Sequence, residues 1–284
     1  MVKIKSATGI LAFIIVLLTM PLGHAAMILM EKVFGHEHVY LAALILGVIG
    51  VVLLLIGYKI KNDTTATLLG LFGGLFIWTG WIEFAYVYYA NRYGVQPLME
   101  NGEIITKPEY LLLPSSIGFI VMLVLFLLFN GFSKCNFISW WRRIFKIGSI
   151  KLPEANERPV TIITAFELIT ILWTFYIVLL ISYDNAFFGD RHPVSYIVAF
   201  GSLIWSIYLF LKLIKINKFG LAIRYAIPTV VIFWNFVEIL GRWNIFKEIW
   251  IYPMEYWLEM SLIAIAFITL VLIALVEKKQ VTPS

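Results

Sequence analysis

Leu41-Ala-Ala-Leu-Ile-Leu-Gly-Val-Ile-Gly-Val-Val-Leu-Leu-Leu-Ile56 contains no polar side chain. The run is longer than a buried strand and lacks the apolar–polar alternation that a membrane β-barrel strand needs. With Val39, Tyr40 and the residues that follow, it reaches the length of about 20 mostly apolar residues that crosses a bilayer as a helix. The same pattern recurs along the chain. Eight spans are legible, at 8–30, 39–58, 65–90, 111–130, 160–183, 194–214, 221–243 and 254–276. The expected fold is an all-α integral membrane protein with eight transmembrane helices.

Composition points the same way. Of 284 residues, 61% are hydrophobic and 14% charged, and the mean hydropathy is +0.91. A soluble domain carries about 45–50% apolar and about 25% charged residues, so a soluble globular enzyme is excluded, as is a disordered chain. Aromatics reach 16%, which suits many membrane–water boundaries, where Trp and Tyr rings settle. The net charge of +5 is no nucleic-acid signal, because the basic residues sit in short loops between apolar spans. Cys135 stands alone, which excludes an internal disulfide and CxxC dithiol chemistry.

Lysine and arginine set the expected orientation. With the N-terminus inside, 16 of the 22 basic residues fall in inner segments and 6 (Lys32, Arg92, Lys107, Arg191, Arg242 and Lys247) in outer ones. The bias holds at every loop and predicts that both termini are cytoplasmic. The lack of disulfides and of large loops leans toward a prokaryotic cytoplasmic membrane. Lys3, Lys5, the apolar run after them and Gly23-His24-Ala25 also fit a cleavable signal peptide. The run continues through Met30, which favours a retained first helix. Ile138-Ser-Trp-Trp-Arg-Arg-Ile-Phe-Lys146 is basic, aromatic and amphipathic, and is expected to lie in the cytoplasmic headgroup layer as a topological anchor.

Phe34-Gly35-His36-Glu37-His38 recurs 154 residues later as Phe188-Gly189-Asp190-Arg191-His192. At the same shift Gly47 meets Gly201 and Lys61 meets Lys215. After a slip of one residue, Trp78-Thr-Gly-Trp-Ile-Glu83 parallels Phe233-Trp-Asn-Phe-Val-Glu238. The expected organisation is two tandem four-helix repeats, 1–130 and 160–284, joined by an amphipathic cytoplasmic linker, 131–159. An even number of spans per unit gives both repeats one orientation, as in parallel repeats, and places a ligand at their seam. Gly70-Leu-Phe-Gly-Gly74 reads as a close helix contact. Pro228 is expected to kink its span or free a carbonyl, and Pro114-Ser115-Ser116 to open the fourth span.

A carboxylate at membrane depth costs at least a few kcal/mol, so it marks a functional site by default. Glu83 and Glu238 are the leading candidates, both toward the outer ends of their spans and among aromatics: Trp78, Trp81 and Tyr86 for the first, Trp234 for the second. Arg242 follows Glu238 by one helical turn, the favourable order for an ion pair. Glu83 has no such cation and is assigned the proton-handling role, Glu238 the paired, electrostatic one. The bland reading is that both tie helices together by hydrogen bonds. His24 lies in the outer part of the first span and is expected to face the glutamates. Glu167 is a weaker candidate, and Glu31, Asp184, Glu255 and Glu259 read as helix-end residues. His36, His38 and His192 would be the ligands of a single zinc or copper ion, against the commoner reading of solvated helix-start histidines.

No G-x-S-x-G, HExxH, Walker A or Rossmann glycine pattern is present. Three functions remain, beside that of a receptor or assembly factor with no chemistry. The first is a transporter of a small solute or cation, or a proton-coupled one, using an outward-facing, aromatic-lined carboxylate pocket. The second is a membrane anchor or quinone-interacting subunit of a larger complex. The third is an intramembrane lipid-acting enzyme with Glu83, His24 and Tyr86 as acid–base groups; a non-enzyme is favoured over it. The expected partners are the lipid bilayer, a small solute, and complex subunits or further copies of the chain, with no nucleic acid.

Overall fold

A computed structural model describes residues 7–100, 103–129, 136–147 and 159–276. It carries eight helices long and apolar enough to cross a membrane. With a short helix, α5, between them these are α1 (Ala7–Gly35), α2 (Glu37–Tyr58), α3 (Asp63–Tyr93), α4 (Pro108–Phe129), α5 (Asn136–Ile144), α6 (Val160–Tyr183), α7 (Pro193–Leu213), α8 (Phe219–Arg242) and α9 (Trp257–Leu275). The eight expected spans are therefore present, and the chain is a polytopic helical membrane protein. The one sheet among the described residues is a hairpin between α3 and α4, β1 (Leu98–Glu100) with β2 (Glu103–Thr106). Its sequence signal is the intervening Asn101-Gly102, the dipeptide that favours two-residue hairpin loops.

The helix boundaries have local causes. α1 and α2 join at Gly35, whose φ of 62° and ψ of 177° form a backbone state open essentially to glycine alone. Asn62 caps α3 by accepting the N–H groups of Thr64 and Thr65. α7 starts with Pro193 at its first position, and His192 caps it by accepting the Val194 N–H at Nδ1. α4 begins at Pro108, before Pro114, rather than opening on it. Proline has no N–H for the regular ladder, so the helix tightens into a 3₁₀ turn over Leu113–Ser116. There the hydroxyls of Ser115 and Ser116 donate to the carbonyls of Leu112 and Leu113.

The chain packs as two compact units, His36–Val198 and Met1–Gly35 with Ala199–Ser284. This grouping is not a division into 1–130 and 160–284. Each unit takes the first span of one expected half and the last three of the other.

In the continuous unit, α3 lies closely along α6. Gly70 leaves room for the Thr161 backbone carbonyl, and a Cβ on Gly74 would stand 3.0 Å from the Ala165 Cα. The glycine pattern of α3 thus serves a contact within one chain. Leu113 and Ile120 of α4 meet Ile177 and Leu180 of α6 in an apolar cluster, and the Trp173 indole donates to the Ser116 hydroxyl at 2.7 Å. α5 is fastened to α4 by Arg142, which donates to the Leu127 and Leu128 carbonyls at 2.8 and 2.9 Å. These are carbonyls that the end of α4 would otherwise leave without helical partners.

In the other unit, α1 packs on α7 and α8. Gly9 admits the Leu213 carbonyl. Phe13 meets Phe210 at 4.9 Å and Phe233 at 6.1 Å. Asn235 reaches Ser202 at 3.5 Å, a polar clasp between α7 and α8.

The glycine contacts make a paired test. Gly70→Ala sets a methyl against backbone that cannot yield, and is expected to destabilise by about 1–3 kcal/mol. Gly118→Ala meets nothing within 4 Å and is expected to be neutral. Thermal melting in detergent separates them; equal melting of the two variants would contradict the α3–α6 contact.

Candidate functional site

The residues picked from sequence fall into two places. His24, Trp234, Glu238 and Arg242 belong to the unit formed by α1 and α7–α9, whereas Trp78, Trp81, Glu83 and Tyr86 belong to the other.

The first group assembles at the end of α8 that carries Arg242. The Trp234 indole donates to Glu238 Oε1 at 2.6 Å. One helical turn separates the two residues, so the bond forms along one helix face. From α1, His24 brings Nε2 to 3.5 Å from the same oxygen, and its ring lies 6.2 Å from that of Trp234. Nδ1 of His24 lies 3.0 Å from the Met20 carbonyl.

How α8 ends decides what else joins. Asn244 adopts a φ of 56°, the left-handed state that asparagine tolerates better than most residues. Its N–H bonds the Gly241 carbonyl at 2.8 Å, and the Ile245 N–H bonds the Leu240 carbonyl at 3.1 Å. This is a Schellman-type cap with asparagine in glycine's usual place. It turns the chain back over the helix end. Glu248 then rests its carboxylate against Gly241, where no side chain stands in the way. Trp250 packs its ring 5.0 Å from Trp234 and 5.9 Å from Phe246. Lys247 ties the same loop to the base of α9, at 3.0 Å from Glu255 and over the rings of Tyr252 and Tyr256. Hydrogen bonds with Tyr256 and Glu255 hold its ammonium above the ordinary lysine range.

Glu248 escaped the sequence reading because it lies outside every span, ten residues after the glutamate it serves. Burial and the neighbouring Glu238 carboxylate push its carboxyl up to about 8, against the opposing pull of Arg242. Sequence alone assigned the proton-handling role to Glu83 and gave Glu238 the Arg242 partner. The structure brings the expected His24 and Trp234 to Glu238 and adds Glu248 beside them. The signal that could have found Glu248 is Asn244 just past the last helical turn, which marks a chain reversal.

Glu83 is 7% exposed and ends a π-helical turn, Trp78–Glu83. There the Phe84 N–H bonds the Thr79 carbonyl five residues back. Single π turns inside α-helices recur at functional sites. The wider turn separates the aromatics expected to ring this glutamate. Trp78 is buried against Trp173 and Tyr176. Trp81 is 42% exposed, lies over Gly47 and donates to the Leu44 carbonyl on α2. Tyr86 packs on the α4–α6 apolar cluster. Glu167 is buried within α6.

Of the three candidate metal ligands, His38 is exposed and His192 caps α7 with its ring 5.3 Å from Phe188; the His36 side chain lies outside the described residues. Among the described residues, no group of three or more His, Cys, Asp or Glu is arranged to hold a metal ion. No family model, curated protein or solved structure matches the chain.

Glu248 gives a pH test of the site. The folded chain keeps a proton on this carboxyl that the unfolded chain releases above about pH 4.5. Folded-state stability therefore falls as pH rises from about 4.5 to about 8. Glu248→Gln removes that fall. The variant is expected to melt several degrees above the parent at about pH 8.5 and to converge with it near about pH 5. Parallel melting curves across that range would contradict the placement of Glu248.

Proposed function

We propose that the protein is a transporter of a small solute, loaded from outside at the cluster around Glu238. One observation carries this reading: a carboxylate near the end of a span, held by Trp234 and His24, stands beside Glu248 and Arg242 under an aromatic cover. Ionisable side chains at such depth are expensive and usually mark a solute or proton pathway. The basic-residue bias of the loops supports placing this end of α8 outside, with both termini cytoplasmic.

The two Phe-Gly-x-x-His segments support a tandem duplication. Each lies where the first span of a half meets the second, and Gly35 and Gly189 both have positive φ, 62° and 102°. The same exchange of first spans occurs in both units, as a duplicated chain would produce. Parallel repeats of this kind occur among transporters.

Proteoliposome flux tests the function, with a panel of small organic and inorganic cations as probes. Glu238→Gln is expected to lower flux by about tenfold or more, the scale set by removing one charge-assisted hydrogen bond. Undiminished flux in that variant, or isolation of the native protein only as a stoichiometric subunit of a larger complex, would overturn the reading.

A further inference from the structure

We propose that α5, held against the end of α4, binds an anionic phospholipid of the cytoplasmic leaflet, with Arg143 and Lys146 on its phosphate and Trp140 and Ile144 against its acyl chains. The inference goes beyond the solute reading and does not depend on it.

The attachment of α5 sets its depth. α4 is long and apolar enough to span the membrane, so its last turn marks the boundary between hydrocarbon and headgroups. There Arg142 donates to the Leu127 and Leu128 carbonyls. Ile138 stands one helical turn before Arg142, on the same face, and is buried. These two residues define the side by which α5 meets the rest of its unit. Arg142 is thereby spent on the fold and is not the lipid ligand.

The other sides of α5 carry the lipid-facing groups. Trp140 and Ile144 are also one turn apart, and both are exposed, as is Phe145. An indole with its apolar body and N–H is suited to the membrane–water boundary. At this depth the natural cover for such side chains is lipid. An amphipathic helix placed so gains from both apolar burial and attraction to anionic headgroups.

The charges choose among lipids. Arg143 and Lys146 are exposed at the end of α5. Lys146 adopts a φ of 52°. Its N–H bonds the Arg143 carbonyl at 3.2 Å, and the Ile147 N–H bonds the Arg142 carbonyl at 3.0 Å. This Schellman-type cap closes the helix with backbone N–H groups, so neither cation is needed to satisfy the last carbonyls. It also fixes Lys146 directly beyond the turn that carries Arg143. Guanidinium and ammonium groups both donate to phosphate oxygens. The surrounding linker, 131–159, holds six basic and two acidic residues, a balance that favours a lipid of net negative charge over a zwitterionic one. Basic residues beside a span are attracted to anionic lipids, each by about fivefold in affinity. The basic-residue bias of the loops supports placing this end of α4 at the cytoplasmic face.

Lipid retention tests this. The full-length protein in mild detergent is given equal amounts of phosphatidylglycerol and phosphatidylcholine, and retained lipids are counted by native mass spectrometry. Phosphatidylglycerol is expected to be retained in preference. Arg143→Gln combined with Lys146→Gln is expected to weaken that preference about tenfold or more, with lipid-free melting close to that of the parent. Lys215→Gln combined with Lys218→Gln removes the same charge from the exposed α7–α8 loop and is expected to keep the preference. Arg142→Gln is expected to lower the melting temperature even without lipid, because it takes a donor from the α4 carbonyls. Equal retention of the two lipids by the parent, no retention of either, or equal loss in the two double variants would overturn the proposal. So would inorganic phosphate raising the melting temperature as much as phosphatidylglycerol does at matched ionic strength, which would assign the two cations to a free phosphate instead.

Discussion

Inside a hydrocarbon layer the backbone has no water to bond, and each amide or carbonyl left without a partner costs several kcal/mol. The fold answers that constraint wherever the regular helix fails. At Pro114 two serine hydroxyls take up neighbouring carbonyls. At the end of α4, Arg142 reaches over from α5 to do the same. At the end of α8, the backbone N–H groups of Asn244 and Ile245 close the ladder. The last of these also brings a second carboxylate into the cluster, so the rule that satisfies the backbone builds the candidate site as well.

The constraint explains what could be read from the chain in advance. An unbroken apolar run such as Leu41–Ile56 has one viable form in a membrane, so the eight spans and their approximate ends are legible. Glu238, Trp234 and His24 could be singled out because polar groups in such runs are conspicuous. Departures from the regular ladder were not legible. The π turn at Trp78–Glu83 changes which residues share a face with Glu83, and nothing in Trp-Thr-Gly-Trp-Ile-Glu announces it. Glu248 was hidden for another reason. Its role depends on a chain reversal that depends in turn on the backbone state of one asparagine, and loop glutamates are ordinary.

The two glutamates that resemble each other in sequence end in unlike surroundings because their helices stop at different points. α3 continues from Glu83 to Tyr93 before a left-handed glycine, Gly94, ends it. α8 runs from Glu238 only to Arg242. The shorter helix lets its return loop fold back beside its glutamate. The longer one carries its capping turn past Glu83, and that carboxyl instead sits within the packed helices.

The composition of the units also bears on synthesis. The unit formed by His36–Val198 is continuous, so all its helices are available once α6 has left the ribosome. α1 is placed differently. The rest of its own unit begins at Ala199, and at about 5–20 residues per second the wait is on the order of 10–30 s. Throughout that interval α1 must remain in the membrane with His24 unmet by Glu238. A translational pause or truncation before α8 would leave this helix without the α8 residues it packs on, Phe233 and Glu238 among them.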